Sequence, residues 1–314
     1  MASVRTQPDS PLVVIVGATG TGKSAFALEL AQRLDDAGRS AEIVNADAMQ
    51  LYRGMDIGTA KLPLAERRGI PHHMLDVLEL DDEASVAWYQ PRARAAVDGV
   101  LERDAVPILV GGSGLYVSSV IFDFAFPARD AAVRARLEAE LDAEGLATMY
   151  ERLRAVAPAT AARVDPFNGR RIVRALEVHE LAEAGHGGAL PERPALWRSA
   201  HIVGLSVPRS VLTARLDERV AQMWRSGLID EVASLVSVGT TFGTTAARAI
   251  GYRQALAQLR GEETEADAIA ETQRLTRRYA RRQVSWFTRY ADVDWIDADS
   301  PEQRATALTA VLER

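Results

Sequence analysis

Short apolar runs alternate with helical patterns along the first third of the chain. Residues 12–16 are apolar throughout, and similar runs occupy 41–47 ("AEIVNAD") and 106–112 ("VPILVGG"). Such runs predict strands buried on both faces of a parallel sheet. Between the first two, apolar residues recur at helical spacing from 27 to 34, and Gly38 is placed to end that helix. The order strand, helix, strand indicates an α/β fold.

The pattern changes near residue 127. Positions 127–189 show helical patterns only, and "HIVGLSV" at 201–207 then returns as a strand. Helical patterns follow to the end, except for "VDWI" near Asp294, which predicts a last edge strand. We therefore predict an α/β core from 1–126 and 190–314, interrupted by an all-helical domain at 127–189.

Composition restricts the function classes. Hydrophobic residues make up 47% and charged residues 25% of the 314 positions, as in ordinary soluble domains. No apolar run approaches the ~18 residues that span a membrane, and the first residues lack the apolar core of a secretory signal. These observations predict a cytoplasmic protein with no membrane contact. The absence of cysteine excludes disulfides, thiolate catalysis and cysteine zinc sites.

The charge is unevenly distributed. The net charge is −6, which argues against a generally basic nucleic-acid binder, but 273–291 contains six arginines and no acid. This segment is either a solvated helix face or a localised site for a polyanion.

"GATGTGKS" at 17–24 matches G-x-x-x-x-G-K-[ST] between a predicted strand and a predicted helix. Glycines let backbone amides curl towards an anion, and the helix N-terminus adds partial positive charge. Lys23, one of only two lysines beside thirty-five arginines, adds a mobile cation. The Ser24 hydroxyl can join a Mg²⁺ shell. The loop therefore predicts a site for a diphosphate or triphosphate.

A nucleotide hydrolase or kinase would usually place an Mg²⁺-organising aspartate after a second buried strand. "VPILV" is instead followed by "GGSGLY", which has no carboxylate, while Asp47 ends the other candidate strand. The residues around Asp47 point to another reaction.

Here the chain resembles the tRNA dimethylallyltransferases, also called tRNA isopentenyltransferases. The resemblance covers nearly the whole length and follows the family order. Its motifs are "GATGTGKS", "DAMQLYRGMDIGTAK", "PHHMLD", "GGSGLY", "GRRIVRALEV", "TARLDERVAQM", "AIGYRQ" and "TRRYARRQVSWFTR". Ala48 departs from the serine common after the family aspartate.

The resemblance implies transfer of a dimethylallyl group from dimethylallyl diphosphate to N6 of the adenosine 3′ of certain tRNA anticodons. It implies Mg²⁺ as cofactor, a P-loop core of parallel sheet flanked by helices, and a helical insertion that binds the anticodon stem-loop. We expect a monomer. The alternatives are an adenylate isopentenyltransferase acting on free AMP, ADP or ATP, a small-molecule kinase, and a nucleotide-gated RNA-binding module.

The resemblance also assigns roles to residues. Asp47 is the base, and Lys23 and Arg219 act on the diphosphate, although Arg219 could instead pair with Asp217 or Glu218. The predicted diphosphate loop is Gly17, Ala18, Thr19, Gly20, Thr21, Gly22, Lys23 and Ser24, in which Thr19 and Thr21 could donate to the diphosphate oxygens. Thr59 and Lys61 in "DIGTAK" are expected to line the same pocket. The predicted tRNA contacts are Asp47, Ala48, Met49, Gln50, Ser113, Arg134, Arg170, Arg171, Arg174, Arg248, Tyr252, Arg253, Arg281, Arg282 and Trp286.

Overall fold

A computed structural model describes residues 12–124, 126, 129–181, 195–237, 242–290 and 292–313. Six strands in this part of the chain form one parallel sheet in the order β3-β2-β4-β1-β5-β6. They are β1 Leu12–Gly17, β2 Ala41–Asn45, β3 His72–His73, β4 Val106–Gly111, β5 Ala200–Ser206 and β6 Asp294–Asp297. The predicted α/β class and the edge strand at Asp294 are confirmed.

Twelve α-helices accompany the sheet in the described residues. The first three are α1 Lys23–Asp36, α2 Val86–Glu102 and α3 Gly114–Ile121. The next four are α4 Ala131–Glu144, α5 Leu146–Val156, α6 Pro158–Ala161 and α7 Gly169–Leu181. The last five are α8 Arg209–Arg225, α9 Leu228–Ser237, α10 Tyr252–Leu259, α11 Glu265–Phe287 and α12 Pro301–Leu312. Short 3₁₀ turns occupy Leu64–Arg67 and Ala246–Arg248.

The sheet separates two apolar clusters. All six residues of β1 are buried, and alternate side chains enter opposite clusters, Val14 one and Val13 the other. Helix α1 packs with the Val13 cluster, whereas Tyr89 of α2 and Phe287 of α11 belong to the Val14 cluster. Two-sided burial explains why β1 is a uniformly apolar run.

Local signals set the helix boundaries. Gly38 follows α1 with φ 76°, a left-handed conformation that favours glycine. The Ser85 hydroxyl accepts a hydrogen bond from the Trp88 amide at 3.2 Å and caps α2. The Thr264 hydroxyl caps α11 in the same way through the Asp267 amide.

The chain divides into two compact units. One comprises the residues up to Phe122 and those from Leu196, and the other runs from Asp123 to Ala195. The second unit contains α4–α7, with a core of its own that includes Leu137, Leu153 and Leu176. Its bounds lie just outside the predicted 127–189, and its binding role stays a prediction. None of the helices described is both long and apolar enough to span a bilayer.

Candidate active site

The phosphate-binding loop joins β1 to α1. Gly17, Gly20 and Gly22 have φ values of 146°, 84° and 85°, a region that side chains disfavour. A Cβ on Gly17 would also lie 2.5 Å from the Leu205 carbonyl oxygen. The glycines therefore allow both the curl of the loop and its close approach to β5, and α1 begins directly at Lys23.

A cavity of about 350 Å³ opens beside this loop. It lies at the carboxyl ends of β1, β2 and β4, where open parallel sheets bind their ligands. Its lining includes Thr19, Gly20, Gly22, Lys23, Ser24, Asn45, Asp47, Gln50, Thr59, Gly111, Gly112, Arg219 and Gln283. The structure thus brings the three predicted catalytic side chains to one cavity.

Lys23 is a half-buried cation in this cavity. Its Nζ donates a hydrogen bond to the Ala18 carbonyl at 2.8 Å and keeps further N–H groups for an anion. Burial lowers the pKa of Lys23 to about 8, the Asp47 carboxylate opposes that shift, and Arg219 adds to it. An anion bound here would favour the protonated amine.

Asp47 lies just beyond the end of β2. The Asp47 amide donates to Asn45 Oδ1 at 3.1 Å, and the Asn45 Nδ2 donates to the Asp47 carbonyl at 3.1 Å. The Met49 amide donates to Asp47 Oδ1 at 2.9 Å. No hydrogen-bond partner of Oδ2 occurs in the described chain, so this oxygen can accept a proton from a ligand.

Arg219 reaches the loop from α8. Its guanidinium donates to Thr19 Oγ1 at 3.2 Å. Burial lowers the pKa of Arg219, and the Asp47 carboxylate raises it. The alternative of a surface pair is not realised, since Asp217 pairs with Arg277 and Glu218 with Arg225. Arg219 remains charged and faces the cavity.

The two loop threonines differ. Thr21 is buried and its hydroxyl donates to the Ala18 carbonyl at 2.9 Å. The Thr21 hydroxyl hydrogen is therefore not available to a diphosphate, contrary to the sequence-based expectation. The Thr19 hydroxyl accepts from Arg219 and keeps its own hydrogen for a ligand oxygen.

Helix α11 rests on the segment "GGSG". A Cβ on Gly112 would lie 2.4 Å from Gln283 Nε2, and one on Gly114 would lie 2.3 Å from the Trp286 ring. Between them, Ser113 Oγ meets the Tyr279 hydroxyl at 3.2 Å and accepts from the Ala48 amide at 3.3 Å. The glycines therefore make room for side chains of α11.

Tyr279 completes the electrostatic surroundings of Asp47. Burial and, to a smaller extent, the Asp47 charge together raise the pKa of the Tyr279 phenol to about 12, although the bond to Ser113 acts in the opposite direction. The phenol therefore stays neutral and able to donate a hydrogen bond at physiological pH. Neither Tyr279 nor Gln283 was predicted, although both occur in an arginine-rich segment at the four-residue spacing of one helix face.

Side-chain contacts hold the "DIGTAK" segment in place beside the cavity. Lys61 is 7% exposed, and its Nζ contacts Asp56 Oδ1 at 2.7 Å and Asp76 Oδ1 at 2.6 Å. Lys61 therefore stabilises the segment and does not line the cavity, contrary to expectation. Thr59 does line it. The Glu231 carboxylate accepts from the Ile57 amide at 2.8 Å.

Two aromatic residues predicted to meet the anticodon arm have other partners. Tyr252 is 2% exposed, packs on Gly58 and donates its hydroxyl hydrogen to Glu231. Trp286 donates from Nε1 to Ser118 Oγ at 3.1 Å. The Tyr252 ring is therefore too buried to stack on RNA without rearrangement. The Trp286 indole N–H is already bonded within the fold, and stacking of its ring on RNA stays a prediction.

The predicted tRNA-binding arginines fall into two groups. Arg134 and Arg174 lie 3.6 and 3.0 Å from the fully buried Glu177 carboxylate, which needs their charge. The side chains of another group are exposed: Arg170, Arg171, Arg248, Arg253, Arg281 and Arg282. Arg281 and Arg282 form no ion pair within the described chain, so their charge is available to a polyanion.

The donor set suits a Mg²⁺ ion that arrives with a ligand. Among described residues, no cluster of three or more His, Cys, Asp or Glu could hold a metal. The Ser24 hydroxyl lines the cavity at its exposed rim, beside a loop suited to phosphate oxygens. Mg²⁺ commonly binds through few protein oxygens, substrate phosphates and water, so the residues fit this mode.

Comparisons with known proteins agree in one family. A tRNA dimethylallyltransferase of Clavibacter sepedonicus is 59% identical, with 96% of this chain and 98% of the relative covered. The one of Kineococcus radiotolerans is 51% identical, over 98% of this chain and 97% of the relative.

Solved structures of tRNA-prenylating enzymes also superpose on this chain. A tRNA isopentenylpyrophosphate transferase of Bacillus halodurans superposes with a TM-score of 0.68 at 36% identity, covering 97% of each chain. A eukaryotic dimethylallyltransferase acting on tRNA gives 0.76 at 25% identity, covering 96% of this chain and 79% of the other. Residues 50–290 match the family described as IPP transferase, and the chain belongs to that family.

Proposed function

We propose that this protein transfers a dimethylallyl group from dimethylallyl diphosphate to N6 of the adenosine 3′ of certain tRNA anticodons, as a cytoplasmic monomer. The observation that carries the proposal is a single cavity lined by the phosphate loop, Lys23, Arg219 and Asp47. Relatives named for tRNA prenylation support it and do not favour free AMP, ADP or ATP as the acceptor.

The leaving diphosphate is stabilised by this chain's own cations and dipoles. As the carbon–oxygen bond of the donor breaks, its electron pair stays with the diphosphate. Lys23 and Arg219 lie where this charge develops, and the start of α1 adds its dipole. The Thr19 hydroxyl can donate to a diphosphate oxygen while it accepts from Arg219.

The acceptor amine loses a proton as its bond to carbon forms. Asp47 lines the cavity, and its Oδ2 would take that proton while Oδ1 stays bonded to the Met49 amide. A positioned general base typically contributes ~10²–10⁴ in rate. The reaction therefore balances as one carbon–oxygen bond broken, one carbon–nitrogen bond formed, and one proton moved to a carboxylate.

A Mg²⁺ ion bound at Ser24 with the diphosphate would neutralise further charge on the leaving group. The protein's part is to offer the Ser24 hydroxyl at the rim of the cavity beside Gly22 and Lys23. We expect affinity for Mg²⁺ to depend on the presence of the diphosphate, because the described residues offer no carboxylate cluster.

The RNA must present an unstacked base to the cavity, which costs a few kcal/mol and less in a loop than in a duplex. Exposed arginines such as Arg281 and Arg282 would bind phosphates around that base and offset this cost. The binding should therefore be sensitive to salt.

Incubation with labelled dimethylallyl diphosphate and either tRNA or AMP tests the proposal. We expect label in tRNA only, on the adenosine beside the anticodon. Label in AMP would favour the free-adenylate alternative. Phosphorylated product from ATP, with the prenyl donor untouched, would contradict the whole proposal.

A further inference from the structure

Gln283 joins two backbone segments at the back of the cavity. It is 4% exposed and lies within α11. The Thr19 amide donates to Gln283 Oε1 at 2.8 Å, and Gln283 Nε2 donates to the Gly112 carbonyl at 2.8 Å. One side chain thus connects the phosphate loop after β1 to the turn after β4.

The chemistry of the partners fixes the orientation of this amide. A backbone N–H can only donate and a backbone carbonyl can only accept, so Oε1 must face Thr19 and Nε2 must face Gly112. A Cβ on Gly112 would lie 2.4 Å from Nε2, so glycine is what admits the contact. Without Gln283, the buried Gly112 carbonyl and the partly buried Thr19 amide would lose their partners, which would destabilise the loop.

The bond between Gln283 and Thr19 also affects the predicted diphosphate site. Thr19 is held by its amide, and its hydroxyl accepts from Arg219 at 3.2 Å. Fixing the Thr19 backbone therefore also fixes the position at which Arg219 meets the loop. The Thr19 amide is already engaged with Gln283, so it is not free to bind a diphosphate.

Gln283 lines the cavity, but both ends of its side-chain amide are bonded to backbone groups. We propose that Gln283 is a positioning residue, which sets the geometry of the diphosphate loop and of Arg219 through Thr19. A role of Gln283 in catalysis rests on the proposed function, whereas its effect on diphosphate affinity can be measured without prenyl transfer. Gln283 contacts the loop and the "GGSG" segment, so its replacement should affect donor binding and leave RNA binding unchanged.

The test compares Gln283→Met with Gln273→Met. Gln273 lies on the same helix and donates to the Asp217 carbonyl at 3.1 Å, away from the loop. Gln283→Met removes both hydrogen bonds, and we expect it to weaken binding of inorganic diphosphate with Mg²⁺ by about tenfold in calorimetry, a change comparable to the net contribution of about one hydrogen bond. The control should change it less than about twofold, and affinity for an anticodon stem-loop should change less than about twofold in both.

A merely structural role would give another result. Equal diphosphate affinity in the two variants, or parallel decreases of diphosphate and RNA affinity in Gln283→Met, would overturn the proposal. In turnover assays we expect a higher KM for the prenyl donor and an unchanged KM for tRNA.

Amide hydrogen exchange on the unmodified protein provides a test that does not depend on a variant folding. We expect the Thr19 amide to exchange slowly before inorganic diphosphate is added and no more slowly afterwards. Fast exchange that slows only with diphosphate would overturn the assignment. Both tests remain decisive if the protein binds diphosphate but transfers no prenyl group, in which case only the proposed function fails.

Discussion

At the scale of residues, the negative charge of Asp47 raises the pKa values of three other side chains in or near the cavity. It raises the pKa values of Lys23, Arg219 and Tyr279, against burial for the first two and together with burial for the tyrosine. The carboxylate thus favours the charged forms of the two cations and the neutral form of the phenol. Asp47 would serve both as base and as the counter-charge of the diphosphate site before the donor binds.

Replacing Asp47 with Asn should separate binding from chemistry. The amide keeps the shape and can still accept from the Met49 amide, but it cannot take a proton. We expect single-turnover transfer to slow ~10²-fold or more, with tRNA affinity within a few-fold. Asp36→Asn, at the exposed end of α1, is the matched control. Near-normal transfer by Asp47→Asn would remove Asp47 from the role of base.

The pKa of Lys23 predicts a pH effect on diphosphate binding. Burial lowers this pKa to about 8, so the protonated fraction falls as pH rises through 8. We compare the wild type with Lys23→Arg, because arginine stays charged and both proteins see the same ionisation of the ligand. The affinity ratio of wild type to variant should fall by up to about tenfold from about pH 7 to about pH 9. A constant ratio would show that Lys23 does not titrate in this range.

The sequence identifies functional residues when they belong to a recognisable local motif. The loop glycines and Lys23 follow from spacing, and Asp47 follows from the family resemblance. Gln283 and Tyr279 were missed because their partners are backbone or hydroxyl groups far away in the chain, at Thr19 and Ser113. Contacts of this kind leave no local signal in the sequence.

At the scale of elements, α11 has two different faces. Tyr279, Gln283 and Trp286 rest on the "GGSG" segment, whereas Arg281 and Arg282 are exposed. The sequence suggested either a solvated face or a polyanion site for this helix. The structure shows that one helix provides both a wall of the cavity and a basic surface.

Gly114→Ala tests the packing of this helix. The added Cβ would lie 2.3 Å from the Trp286 ring, so α11 or the ring must shift. We expect a decrease of about 1–3 kcal/mol in the free energy of unfolding, measured by denaturant titration. Gly99→Ala in α2 is the control, because its Cβ would meet nothing closer than Arg103 Nη1 at 3.5 Å. Partial recovery in Gly114→Ala with Trp286→Phe would locate the clash, and equal stability of both alanine variants would contradict it.

Replacing Arg281 and Arg282 together with Ala tests the exposed face. Each arginine that binds a phosphate contributes about 0.7–0.9 to the slope of log affinity against log salt, and its removal subtracts that amount. We therefore expect weaker tRNA binding at low salt and a flatter slope in a filter-binding titration. Arg33→Ala, which removes a surface pair with Glu29 on α1, should leave the slope unchanged. An unchanged slope in the double variant would mean that this face is only solvated.

Long elements are easier to predict from the sequence pattern than short ones. The largely apolar strands β1, β2, β4 and β5 were predicted because burial imposes a visible pattern on them. The edge strand β6 was predicted from "VDWI", although it is mostly exposed. Strand β3 was missed, since it has two residues, both only partly buried. Its place beside β2 depends on pairing with Ile43 and Val44, which "PHHM" alone does not reveal.

At the scale of the whole molecule, the chain contains two units with separate cores. The core of the helical unit draws only on residues between 133 and 176, and the two clusters of the sheet draw on none of these. Composition alone predicted the interruption, because strand patterns stop and later resume. Contact between the helical unit and RNA stays a prediction, because the sequence positions of its exposed arginines do not distinguish binding from solvation.

Separate cores predict that the helical unit can be removed. The Trp197 amide donates to the Ile121 carbonyl at 2.8 Å, and Phe122 forms an antiparallel β-bridge with Leu196. The two chain segments between which the helical unit is inserted are therefore paired with each other within the α/β unit. We expect a chain with residues 123–195 replaced by a short Gly/Ser linker to unfold cooperatively and to bind inorganic diphosphate within a few-fold of the intact protein. Its RNA affinity should fall, because Arg170 and Arg171 are removed with the unit.

Two results would separate the roles of the units. Full-length protein with Arg170 and Arg171 replaced by Ala keeps the helical core, since both side chains are exposed, and should show part of the same decrease in RNA affinity. If the shortened chain binds RNA as well as the intact one, the helical unit does not contact RNA. If it folds but no longer binds diphosphate, the loop depends on a unit that shares no core with it, and the site described above would be incomplete.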